Sequence, residues 1–170
     1  AVGIGAALHE RSRTGEGQKV DVAMLDCQVA ILENAIARYR ASGEVPGRLG
    51  SRHPSISPFG VFATRDEPIV IAAGTDELFR LLCRCLGAPE LAESEEFSSN
   101  EARTLHILAL KTRIEAVLAH ETRAHWLEHL TRAGVPCSPI NDVAALLADP
   151  QVAARNMLIH CDDPLAGRVE

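Results

Sequence analysis

Aromatic side chains are scarce. One Trp, one Tyr and four Phe among 170 residues are too few for a platform on which nucleobases stack. Positive charge is short as well: 17 Lys and Arg are spread among 23 acids, and a formal net charge of −6 does not suit a general nucleic-acid binder. No apolar run approaches the roughly 20 residues of a membrane-spanning helix, and no charged leader precedes a cleavable apolar segment. Neither nucleic acid nor membrane is therefore expected as a partner.

Several chemical motifs are missing too. The five cysteines are an odd number without a C-x-x-C, and they read as reduced thiols of a cytoplasmic protein. Cys83 and Cys85 lie about 200° apart around a helix, a poor local ligand pair. Gly15-Glu-Gly17 has neither the third glycine nor the preceding strand of a dinucleotide fingerprint, and no phosphate-loop lysine sequence occurs. His120-Glu-Thr-Arg-Ala-His125 has one residue too many between its histidines for the zinc-protease motif. His125 and His129 stand one helical turn apart and read as an exposed helix face, so no metal is expected. Cys137, beside Pro136, reads as a buried thiol with no base nearby in sequence to activate it.

What is present is organised around Pro46-Gly-Arg-Leu-Gly-Ser-Arg-His-Pro-Ser-Ile-Ser-Pro58. Three prolines forbid a helix here, and so long a loop is either functional or a linker. Arg48, Arg52 and His53 make it cationic and titratable, while Gly50 and Ser51 let backbone amides approach an anion. Solvated linker and ligand loop both remain open on composition.

Before this loop, residues 2 to 13 predict a helix ended by Gly15, and Lys19-Val-Asp-Val-Ala23 predicts a strand, unless Asp21 caps the next helix. Met24, Cys27, Ile31, Ala35 and Ile36 predict one long helix from about 22 to 42, ended by Gly43 and about 30 Å long. After the loop, residues 59 to 63 and 69 to 73 predict a hairpin. Thr75 then caps a helix with Asp76 and Glu77 in its first turn and Leu78, Leu82 and Leu86 as its buried stripe. Asp76 is explained by that position alone. A helix after Ser98-Ser-Asn100 carries Ile107, Leu110, Ile114, Val117 and Leu118, and another runs from about 122 to 133 around Trp126. Residues 137 to 140 read as extended, Asn141 as the cap of a short helix to Leu147, Asp149-Pro150 as a helix start, and Met157 to His160 as a last strand. The organisation is a helical piece at 1–45, a linker or loop at 46–58, a small α/β unit at 59–145, and a return segment at 146–170. Abrupt ends at Ala1 and Glu170 give the expectation of a chain cut from something longer.

Ala6-Ala-Leu-His-Glu-Arg-Ser-Arg-Thr-Gly-Glu-Gly-Gln-Lys-Val-Asp-Val-Ala-Met24 resembles the family III CoA-transferases of the CaiB/BaiF type. Gly50-Ser-Arg-His-Pro-Ser-Ile-Ser-Pro-Phe59, Gly74-Thr-Asp-Glu-Leu-Phe79, Phe97-Ser-Ser-Asn-Glu-Ala-Arg103, Gly134-Val-Pro-Cys-Ser-Pro-Ile-Asn141 and Asp149-Pro-Gln-Val-Ala-Ala-Arg-Asn-Met157 are similar to further segments, in order. The resemblance implies an α/β fold: residues 1–45 end a Rossmann-like large domain, and a small α/β domain with a β-hairpin comes after the loop. It also implies two subunits interlocked as a homodimer. The implied activity is CoA transfer between an acyl-CoA and a free carboxylate through an aspartyl intermediate, with CoA as substrate and carrier and no prosthetic group. The nucleophilic aspartate is expected upstream of Ala1, since Asp21 and Asp26 do not match its position, so the chain alone is expected to be inactive.

In the family the loop lies over the active site and shields the intermediate from water, which makes Gly50, Ser51, Arg52 and His53 candidate contacts. Relatives also include α-methylacyl-CoA racemases, in which an acid at the position of Asp76 pairs with a catalytic histidine. Racemase is the second reading, and a non-catalytic helical interaction module built on residues 22–42 is the third.

Overall fold

Glycine closes the first helices where its backbone freedom predicts. Gly15 and Gly43 both adopt positive φ, and each donates its N–H to the carbonyl four residues earlier. The computed structural model describes residues 1–159, 161–165 and 167–169. Two units are distinct, residues 1–48 and 49–170.

The first unit holds α1 (Val2–Thr14), α2 (Met24–Ile31) and α3 (Glu33–Ser42). The single long helix expected over 22–42 is broken at Leu32, whose φ of −87° and ψ of 8° close a tight turn onto Val29 O. The two pieces run only about 12 and 15 Å. The strand expected at 19–23 is irregular chain: its valines are exposed, and a β-branched alternation without a neighbouring strand has nothing to bond to. Asp21 caps nothing. Its carboxylate faces Lys19, and Ala23 precedes α2 without a side-chain cap. None of the three helices has a buried residue.

The second unit contains the core. β1 (Phe59–Phe62) and β2 (Ile69–Ala72) form the expected hairpin, antiparallel with Phe59 opposite Ala72 and Phe62 opposite Ile69. β3 (Cys137–Pro139) adds to the far side of β2, also antiparallel. That makes β2 the central strand, which explains its unbroken apolar run. Around this sheet lie α4 (Asp76–Cys85), α5 (Glu90–Glu93), a 3₁₀ turn at Glu95–Phe97, α6 (Asn100–Leu105), α7 (Ile107–Leu118) and α8 (Arg123–Ala133), with α7 against β1, α8 against β3, and α4 against α5 and α8. Ile69, Ile71, Phe79, Leu82, Leu110, Ile114, Leu118 and Leu130 are fully buried together.

Thr75, Ser99 and Thr122 each accept a first-turn N–H of the helix they precede. The buried stripe of α4 is Phe79, Leu82 and Cys83, continued by Leu86, with Leu78 only half-buried. α6 and α7 are separate helices that break at His106. Asp142, not Asn141, caps α9 (Val143–Leu147), because its carboxylate reaches Ala145 N. Asp149 caps α10 (Pro150–Ala154), with proline at the first helical position as expected. The last strand is not at 157–160: residues 157–159 are irregular, and His160 lies outside the described residues. β4 (Cys161–Asp163) instead pairs with β5 (Gly167–Val169), short strands that the Pro164-Leu165 turn joins. No helix among the described residues is long and apolar enough to cross a membrane.

Candidate functional site

The proline-rich loop is anchored to the second unit at several points. Gly50 sits at a φ of +64°, a conformation for which glycine is the residue without steric penalty. Two glycines, one in β1 and one just past the end of β2, then let the loop close in. A Cβ on Gly60 would stand 3.1 Å from Arg52 Cα, and one on Gly74 only 1.9 Å from Cγ2 of Ile56. Glycine in or beside a strand marks close approach of another backbone, and here the approaching segment is the loop.

β1 is an edge strand, and its outward backbone groups belong to residues 59, 61 and 63. His53 N–H donates to Phe59 O at 2.8 Å. Lys111 Nζ donates to Val61 O at 2.6 Å, and Glu115 Oε1 accepts Ala63 N–H at 2.8 Å. Lys111 and Glu115 also pair with each other at 2.7 Å. The open edge is thus covered by the loop and by one face of α7.

Between loop and edge lies a pocket of about 210 Å³ lined by Leu49, Gly50, Ser51, Arg52, residues 59–62, Ile107 and Lys111. Its walls are mainly aliphatic and aromatic carbon, with two cations among them. Lys111 is engaged by Val61 and Glu115, whereas Arg52 makes no ion pair among the described residues. An apolar cleft with one uncommitted guanidinium can hold a small molecule and orient its carboxylate or phosphate.

Three of the four loop candidates, Gly50, Ser51 and Arg52, meet at this pocket. His53 stands beside it, half-buried and stacked on the Phe59 ring at 5.4 Å between centroids. Ser55 N–H donates to His53 Nδ1 at 3.2 Å, so in the neutral ring the proton sits on Nε2.

Asp76 is elsewhere. Its half-exposed carboxylate accepts from Arg103 Nη2 at 2.8 Å. Arg103 is 1% exposed and was not among the residues expected to matter, yet four segments converge on it. Its Nε donates to Ser57 O at 2.8 Å, Nη1 to Phe97 O at 3.1 Å, and Nη2 to both Gly74 O and Asp76 Oδ1. Four of the five guanidinium donors are used, and the group also lies over the Phe79 ring at 4.6 Å, which is how a charge is tolerated in a core. Asn100, one turn earlier, accepts Ser57 N–H and donates to Ser55 O.

The other candidates contribute nothing to this pocket. His125 and His129 stack at 6.0 Å on the exposed side of α8, and His129 Nε2 donates to Cys85 O. No cluster of three metal-ligating side chains occurs among the described residues. Burial pushes the Cys83 thiol up to about 12 and raises Cys85 as well, so neither is an activated nucleophile. Cys137 is half-buried, 3.5 Å from the Thr131 hydroxyl.

These features define a mixed α/β domain in which the proline-flanked loop lines a small, mainly apolar cleft. The sequence pattern of CoA-transferase family III matches residues 1–170, and the chain belongs to that family. It is 46% identical over 157 residues to the acetyl-CoA:oxalate CoA-transferase of Acetobacter aceti, covering 92% of this chain and 40% of that enzyme. To the succinate–glutarate CoA-transferase of Agrobacterium fabrum it is 39% identical, covering 92% and 39%. A crystal structure of a CaiB/BaiF family protein from Brucella suis is similar with a TM-score of 0.78 and 40% identity, over 95% of this chain and 42% of that one. The chain thus spans about two-fifths of the length of these relatives.

Proposed function

We propose that this chain is the loop-bearing part of a CoA-transferase that moves CoA between an acyl thioester and a free carboxylate. The observation that carries the reading is the 46% identity, over nearly the whole chain, to an enzyme named for that chemistry. The pocket is consistent with it, since an acyl group needs apolar walls and a carboxylate needs a cation such as Arg52.

In this reading the nucleophile is an aspartate supplied by sequence that precedes α1. Its carboxylate attacks the acyl-CoA carbonyl, forming a mixed anhydride and expelling CoA thiolate. The thiolate returns to the aspartyl carbonyl, releases the donor acid and leaves an aspartyl-CoA thioester. The acceptor carboxylate repeats the exchange in reverse, so no electrons or protons are lost. Loop residues 50–53 cover the intermediate and keep water away. CoA is substrate and carrier, no prosthetic group takes part, and the working form is an interlocked cytoplasmic homodimer.

The test is expression of the complete reading frame, with acetyl-CoA and succinyl-CoA as donors and oxalate, glutarate and other short carboxylates as acceptors. Transfer with at least one pair is expected, and none from residues 1–170 alone. Absence of transfer with every pair overturns the reading; exchange of the α-proton of a 2-methylacyl-CoA in its place would assign the racemase branch.

A further inference from the structure

The loop is held unequally along its length. At Ser55–Ser57 the bonds to the rest of the unit come from two residues of α6, beside the local bond from Ser55 N–H to His53 Nδ1. Asn100 Nδ2 donates to Ser55 O at 2.8 Å, Asn100 Oδ1 accepts Ser57 N–H at 3.0 Å, and Arg103 Nε donates to Ser57 O at 2.8 Å. Ser57 is 2% exposed, and its hydroxyl points back to Arg103 O at 3.4 Å. The stretch Leu49–Arg52, which lines the pocket, is reached by none of these bonds; its nearest fixed point is His53 N–H on Phe59 O.

We propose that Asn100 and Arg103 are positioning residues: by clamping Ser55–Ser57 onto α6 they set where Gly50, Ser51 and Arg52 stand at the pocket, and hence how well the loop excludes water. The consequence for water rests on the CoA-transferase reading; the clamp itself does not. Arg103 is the rigid member, because it also ties Gly74 and Asp76 to the same point, so α4, the end of β2 and the loop share one buried cation. Asn100 is the separable member. It begins α6 but does not cap it, since Ser99 does, so its amide can be removed without unravelling the helix.

The experiment compares the complete enzyme with its Asn100→Ala and Arg103→Lys variants. Amide exchange should quicken about tenfold at Ser57 in Asn100→Ala, and also at His53, which Asn100 does not touch, while amides of β2 keep their protection. In the same variant, thioester hydrolysis per CoA transferred should rise about tenfold without a matching loss of thermal stability. Arg103→Lys retains charge but loses the fork, and should shift both readouts the same way. Unchanged exchange at His53, or a hydrolysis ratio that stays put while transfer falls only with the folded fraction, overturns the proposal. If the unmodified enzyme transfers no CoA, the functional reading fails on its own, and exchange at His53 still decides the clamp.

Discussion

Asp66, in the β1–β2 turn, gathers three donors on one carboxylate oxygen: Arg123 N–H at 2.7 Å, Glu67 N–H at 2.8 Å and the Thr64 hydroxyl at 2.9 Å. Arg123 begins α8, so the hairpin satisfies an amide the helix cannot satisfy itself. Those bonds, the Arg123 amide first, lower the carboxyl from 3.8 to about 2. Because the folded value is depressed, the contribution is complete above about pH 3.8 and is lost as pH falls toward 2. Urea unfolding followed by Trp126, which is buried in this unit, should show wild type exceeding Asp66→Asn by a constant margin from pH 7 to 5 that shrinks between pH 4 and 2. A margin independent of pH would mean that the carboxylate charge is not what the turn uses. At this scale the pocket-lining position of Gly50, Ser51 and Arg52 could be anticipated, because glycine and arginine between prolines advertise themselves. Arg103 could not, because its partners at 57, 74, 76 and 97 are brought together only by the fold; the sole local hint is an arginine on the inward side of a short helix.

The elements were legible where a local signal decides them, and misread where a neighbour does. Helix starts at Thr75 and Pro150 follow from capping, whereas the breaks at Leu32 and His106 carry no glycine or proline to announce them. The hairpin was legible; the cover on its edge was not. Lys111 and Glu115 stand at i and i+4, a spacing that by itself describes a solvated ion pair worth a few tenths of a kcal/mol. Here they act instead as a substitute strand, one donating to Val61 O and the other accepting from Ala63 N–H. Glu115→Ala should therefore cost about 1–2 kcal/mol, more than a surface pair, because a strand amide loses its acceptor. A urea midpoint within error of wild type would return the pair to the ordinary surface class.

The two units of the molecule differ in what holds them. The buried hydrophobic cluster runs from Phe62 to Val135, in the second unit, while α1, α2 and α3 contain no buried residue among the described residues. Val2, Met24, Leu25 and Ile31 are each more than 70% exposed. Helices of 8 to 13 residues without a buried face are marginal in water, since most helical stability comes from packing. So large an exposed apolar surface in turn marks a place where something else packs. In the proposed enzyme the occupants are the rest of the chain and the partner subunit. Amide exchange on residues 1–170 alone should then find α1–α3 nearly unprotected while Ile69–Ala72 and Leu110–Leu118 stay protected, and a hydrophobic dye should bind. In the complete protein the same helices should become protected, and sedimentation should report a dimer that no longer takes up dye. Helices fully protected in a dye-free monomer of residues 1–170 would instead mean that the first unit is stable by itself, and the interlocked arrangement would lose its physical motive.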